Sequence, residues 1–226
     1  MTESAQFEHS HATGDPELAH HFSDLRQQRA AAELGMWLFL VTEFMFFGGL
    51  FQAYLSYRGW YPAGFAAGSA TMDVLLGTLN TAVLLTSSLT MALAVHAAQH
   101  ARRRQLIGLL VATIVLGIIF LGIKAYEYHH KYEEHLIPFA GLPFKHAGPE
   151  QGGIMTFLNL YFVMTGLHAF HMLIGIGILL TLVVLAWRGG LTGERAISVY
   201  NTGLYWHFVD LVWVYLFPFF YLVAGR

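Results

Sequence analysis

The sequence predicts an all-α protein, a polytopic membrane helix bundle of about five transmembrane helices. Two observations carry that prediction. The 226 residues are 56% hydrophobic and only 12% charged, about half the charged fraction of a soluble domain. The apolar residues also gather into stretches near 34–56, 72–98, 106–125, 153–187 and 203–223, each long enough to cross a hydrocarbon core of roughly 30 Å at about 1.5 Å per residue.

Before the first span, residues 1–30 form a polar N-terminal tail carrying His9, His11, His20 and His21. Its polarity is too high for packing, so it is expected to be disordered or docked on a partner, with residues 31–226 forming the transmembrane domain. Glu3, Glu8, Asp15 and Glu17 replace the basic start and apolar run of a signal peptide, so the first span is expected to direct its own insertion.

In the second span Thr78, Ala82, Thr86, Thr90 and Ala94 recur every fourth position. Small residues allow close approach of helices in lipid, which predicts a central place for this span. Gly166, Gly175 and Gly177 suggest the same for the fourth span, which is also longer than a bilayer requires and should tilt or protrude. The one long connection, 127–152, holds Pro138, Pro143 and Pro149 and should lie outside the membrane.

Lys and Arg set the orientation. Arg26, Arg29, Arg102, Arg103, Arg104, Arg188 and Arg195 fall on one side; Arg58, Lys131, Lys145, Arg226 and, near a helix end, Lys124 fall on the other. The expectation is N-terminus inside and C-terminus outside. The Arg102–Arg104 cluster reads as a cytoplasmic loop, and a net charge of −2 gives no sign of a nucleic-acid partner.

An ionisable group in hydrocarbon needs a partner, a wet cavity or loss of its charge. Glu43 stands near the middle of the first span in TEFMFFGGLF. It reads either as a proton-relay or lipid-contacting carboxylate or as a hydrogen-bonded structural side chain. His168 and His171 sit mid-span in TGLHAFHMLIG, at about the depth of Glu43, and a Glu–His network joining the first and fourth spans would satisfy all three. In YWHFVDLVW, His207 and Asp210 lie three apart and can pair near the inner interface. Arg188 and Trp206 belong to the same layer, which reads as an anionic-lipid site or as ordinary interface anchoring. Lys124 and Glu127, one turn apart, read as a pair capping the outer end of the third span.

No cysteine is present, which excludes disulfides, thiolate metal ligation and a thiol nucleophile. No phosphate loop, nucleophile with a placed base, or dense histidine cluster appears either. The chain therefore offers no catalytic set, and metal ligation, by the tail histidines or by His168 and His171, is the lesser reading.

TEFMFFGGLF, LNTAVLLTSS with Ala94 and His96, the Lys124–Tyr128 stretch ending in Glu-Tyr, TGLHAFHMLIG and YWHFVDLVW occur in that order over 33–223. Together they resemble the cytochrome c oxidase subunit III family, in its short five-helix bacterial form. The resemblance implies a non-redox subunit of a haem-copper terminal oxidase of the bacterial cytoplasmic membrane, in which oxygen reduction is coupled to proton pumping. Its main partner would be subunit I; other oxidase subunits, membrane lipids and a respiratory supercomplex are the further partners it suggests. Haem and copper would lie in partner subunits, while this chain stabilises subunit I, supports proton uptake and binds phospholipid. By motif, Glu43 matches the family's buried helix carboxylate, His168 and His171 its paired histidines, His207 and Asp210 its end motif, and Arg188 a lipid-contacting arginine. The two helices that form one wall of the lipid cleft in the seven-helix form have no counterpart here. Lys124 and the charged 127–152 loop also suit subunit III relatives that accompany nitric oxide reductases. A proton-coupled transporter using Glu43, His168 and His171, or a membrane cytochrome ligating haem through His96, His168 or His207, are the rivals from other classes.

Overall fold

A computed structural model describes residues 24–138, 148–189 and 196–223. These form six helices: α1 (Leu25–Trp60), α2 (Pro62–Ala70), α3 (Val74–Gln99), α4 (Arg103–Glu133), α5 (Gln151–Trp187) and α6 (Ala196–Tyr221). Five are long and apolar enough to cross a membrane, as expected. The chain is thus a multi-pass membrane protein. The short α2 was not foreseen; Pro62 at its first position and the small residues of PAGFAAGSA start a helix too brief to span.

The helices overrun the sequence-based limits because polar turns continue them. Asp24 accepts a hydrogen bond from the Gln27 amide at 2.7 Å and so starts α1 inside the expected tail. The tail histidines His9, His11, His20 and His21 lie outside the described residues. Glu127, Lys131 and Glu133 read as loop but belong to α4, so the described part of the long connection is 134–138 and 148–150. Lys145 and Pro143 fall between those parts, and Arg195 and Arg226 are likewise outside the described residues.

Carbonyls at helix ends have no intrahelical partner, and neighbouring helices supply one. Tyr54 of α1 donates to the Phe219 carbonyl and Ser69 of α2 to that of Phe220, closing α6. Arg103 donates to the Ala186 carbonyl at 2.8 Å and to that of Trp187, closing α5. One member of the expected arginine loop is therefore a helix cap. Gly189, at φ +81°, makes the left-handed turn that ends α5.

The packed seam of α3 differs from the one expected. Gly77, Asn80, Leu84, Ser87, Met91, Ala94 and Ala98 are buried, alternating steps of three and four along one face. The four-residue stripe advances about 40° at each step, so Thr78, Ala82 and Thr86 are exposed while Ala94 reaches the core. α6 takes the most enclosed position: 50% of its most apolar stretch is buried, against 33% for α3 and 11% for α1. In α5 only Gly175 of the three glycines is tightly packed; a Cβ there would lie 2.9 Å from the Trp206 ring, whereas Gly166 and Gly177 have room.

A close backbone approach joins α2 to α5. A Cβ on Gly64 would sit 2.6 Å from the Gly153 Cα, and backbone cannot rotate away as a side chain would. Gly64→Ala is expected to destabilise the bundle by about 1–3 kcal/mol, read as a lower thermal midpoint of the detergent-solubilised protein. Gly48→Ala, with nothing within 4 Å, should leave that midpoint unchanged.

Candidate functional site

Two polar centres cross the helix interfaces. In the first, His171 of α5 meets Glu43 of α1, with Nε2 and Oε2 3.1 Å apart. The other ring nitrogen, Nδ1, lies 2.8 Å from the Leu167 carbonyl. A carbonyl only accepts, so Nδ1 carries a hydrogen. A hydrogen bond between Nε2 and Oε2 then takes one proton, on the carboxyl or, with the ring charged, on the nitrogen. The pair has no net charge in either arrangement. Phe47 lies edge-on to the imidazole at 5.3 Å, and Tyr205 donates to the His171 carbonyl at 3.0 Å, tying α6 to the same turn.

His168 is not part of this network, contrary to expectation. Three residues before His171, it points about 60° away around the helix, enough to turn from the α1 side into the core. It is 1% exposed and packs between Phe120 and Trp213, at ring distances of 5.4 and 5.3 Å. Neither ring nitrogen has a hydrogen-bond partner among the described residues.

The second centre lies about 15 Å along α5 from the first, ten residues at helical rise. Lys124 Nζ donates to Glu127 Oε2 at 2.9 Å, to the Tyr161 hydroxyl at 2.8 Å and to the Tyr221 hydroxyl at 2.9 Å. Those use all three ammonium donors. Both tyrosines donate in turn to Glu127, at 2.8 and 2.6 Å, and the Trp213 ring lies 5.1 Å from the ammonium. Lys124 and Glu127 do pair, but inside the bundle, at 4% exposure each. They cap no helix end, since α4 runs on to Glu133. The closed hydrogen-bond set is what allows the charges to be buried. Tyr161 escaped sequence reasoning although it lies seven residues before His168 on the same face; nothing local marks Tyr221.

The expected inner-interface layer does not assemble. Trp206 is fully buried, its Nε1 donating to Ser87 Oγ at 2.8 Å, and it packs against Gly117 and Gly175 in the middle of α4 and α5. The reason is the start of α6 at Ala196 rather than near 203, which moves Trp206 two turns inward. His207 Nδ1 bonds Ser88 Oγ at 2.8 Å instead of Asp210. Asp210 is 4% exposed and lies beside Ser88, yet its carboxyl oxygens make no hydrogen bond among the described residues. Arg188 ends α5 as an exposed residue. Among the described residues no three His, Asp or Glu side chains are placed to hold a metal ion.

The cytochrome c oxidase subunit III family model matches residues 19–134 and 152–224. The cytochrome c oxidase subunit 3 of Alkalihalophilus pseudofirmus is 33% identical over 194 residues, covering 84% of this chain and 86% of its own. The cytochrome bo(3) ubiquinol oxidase subunit 3 of Pseudomonas aeruginosa is 28% identical over 95% of this chain and 96% of its own length. A probable quinol oxidase subunit 3 of Staphylococcus haemolyticus is 28% identical over 85% and 89%.

Proposed function

The chain belongs to the cytochrome c oxidase subunit III family, and from that premise we propose that it works as a non-redox subunit of a haem-copper terminal oxidase. Membership of the family implies a complex with other oxidase subunits. Subunit I is the main partner in this reading, and the haem and copper centres lie in the partner subunits. The membrane is the bacterial cytoplasmic one. Arg26, Arg29, Arg102, Arg103, Arg104 and Arg188 stand at the end where α1 begins and α5 ends, which supports an inner N-terminus. Bound phospholipid accompanies the chain. Neither the nitric oxide reductase reading nor the transporter reading gains support from the matched family or the relatives above.

The observation that carries a role in proton uptake is the contact of the Glu43 carboxyl with the His171 ring. It can take up and release a proton at the α1–α5 contact, and transfer between the two leaves the pair uncharged in the membrane interior. Glu43→Gln keeps the shape and removes that capacity. The oxidase carrying Glu43→Gln is expected to start at the wild-type rate and to lose turnover or pumping sooner, with haem content per subunit I unchanged. Wild-type pumping and turnover lifetime in both Glu43→Gln and Glu43→Ala would refute the proton role. Haem lost in proportion to this chain would refute the non-redox reading.

A further inference from the structure

A cavity of about 410 Å³ opens where α3 begins and α4 ends. Its charged lining is Asp73, Glu127, Lys131 and Glu134, with His130 beside them. Two of these are deeply buried: Lys131 at 3% and Glu127 at 4% exposure. We propose that this cavity binds the primary ammonium of an ethanolamine phospholipid headgroup.

Charge balance selects a cation. The lining holds three carboxylates and one ammonium, Lys131; Glu127 is turned inward to Lys124, with which it pairs at 2.9 Å, so Asp73 and Glu134 are set against Lys131. One negative charge remains, and the C-terminal end of the α4 dipole adds to it. The available oxygens select a hydrogen-bonding cation. Asp73 uses Oδ1 on the Leu75 and Leu76 amides, at 2.9 and 3.1 Å, which leaves Oδ2 open. Among the described residues Glu134 is held only by contacts at 3.5 Å from His130 and Lys131. A quaternary ammonium is recognised by a cage of aromatic faces, and Tyr126 is the one aromatic residue of this lining. Lys131 gives hydrogen bonds to the Thr71 carbonyl and to Glu134; its third N–H is left for the phosphate.

Depth and rim select a lipid as the source. The cavity lies at the ends of two spanning helices, where headgroups sit. Leu75, 78% exposed, and Tyr126, 64% exposed, lie at its edge, an apolar and an amphipathic surface suited to the first methylenes of an acyl chain.

The test uses the whole complex purified in mild detergent, exchanged into micelles holding phosphatidylethanolamine, phosphatidylcholine and phosphatidylglycerol at equal mole fraction, with retained lipid counted by mass spectrometry. Wild-type protein is expected to keep phosphatidylethanolamine about tenfold over the other two, and Glu134→Gln to lose about tenfold of that retention, the size of one charge-assisted hydrogen bond. Asp73→Asn keeps the α3 cap and should lose retention as well. Equal retention of the three lipids, or retention unchanged in both variants, overturns the proposal. Displacement by soluble phosphoethanolamine at the concentration where a short-chain phosphatidylethanolamine displaces would assign the site to a free headgroup and overturn the lipid claim. Subunit composition read from the same spectra separates loss of the site from loss of the assembly.

Discussion

Lys124→Met is expected to destabilise the folded bundle by about 3–5 kcal/mol, the usual effect of stranding one member of a buried ion pair. Glu127 would keep its two tyrosine donors and lose the ammonium it is paired with, leaving a carboxylate in a region of low dielectric. Glu127→Leu should do comparable harm by stranding Lys124. The double variant Lys124→Met/Glu127→Leu is the informative one, because it removes both charges and keeps most of the volume. It should be more stable than either single variant, with the Tyr161 and Tyr221 hydroxyls, 3.5 Å apart, left to each other. Thermal midpoints of the purified complex decide this. Single variants equal to wild type, or a double variant that adds the two losses, would show that the four groups do not act as one unit.

Trp206→Ala carries the second large effect. The ring is one of two indoles fully buried among the described residues, Trp213 being the other, and it fills the space left by Gly117 and Gly175, where a Cβ would come within 3.0 and 2.9 Å of it. In lipid the gain from leaving water is small and packing dominates. The expected loss is therefore about 3 kcal/mol, the lower end for Trp→Ala in protein cores. The Ser87 hydroxyl would also lose its indole donor. Trp187→Ala is the matched control: its side chain is 75% exposed and its removal should shift the midpoint little. A Trp206→Ala protein as stable as that control would contradict the packing described for α6.

The parts legible in the sequence were those fixed by amount rather than by direction. Hydropathy alone counts the five spans, since any stretch of about 20 apolar residues crosses a bilayer whichever way its side chains point. Direction is harder. A step of four residues and an alternation of three and four differ by tens of degrees, and that difference sends Thr86 outward and Ser87 onto the Trp206 indole. The same sensitivity separates His168 from His171, and it turned a three-residue network into the Glu43–His171 pair alone. Depth failed where a helix end was misjudged, as at Trp206. The hub was half legible: Lys124 and Glu127 stand one turn apart, but the tyrosines that complete them come 34 and 94 positions after Glu127 along the chain, and no local pattern links such partners.

The proposed role, accessory subunit of a haem-copper oxidase, stands or falls on what the chain binds. The direct measurement is an affinity pull-down of the tagged, full-length chain in mild detergent, with an optical spectrum and mass-spectrometric identification of what co-purifies. The expected result is a haem-copper subunit I in the eluate, oxygen-reductase activity, and a spectrum whose haem bands scale with subunit I. A colourless chain that elutes alone, or a Soret band that stays with this chain after subunit I is removed, would contradict it.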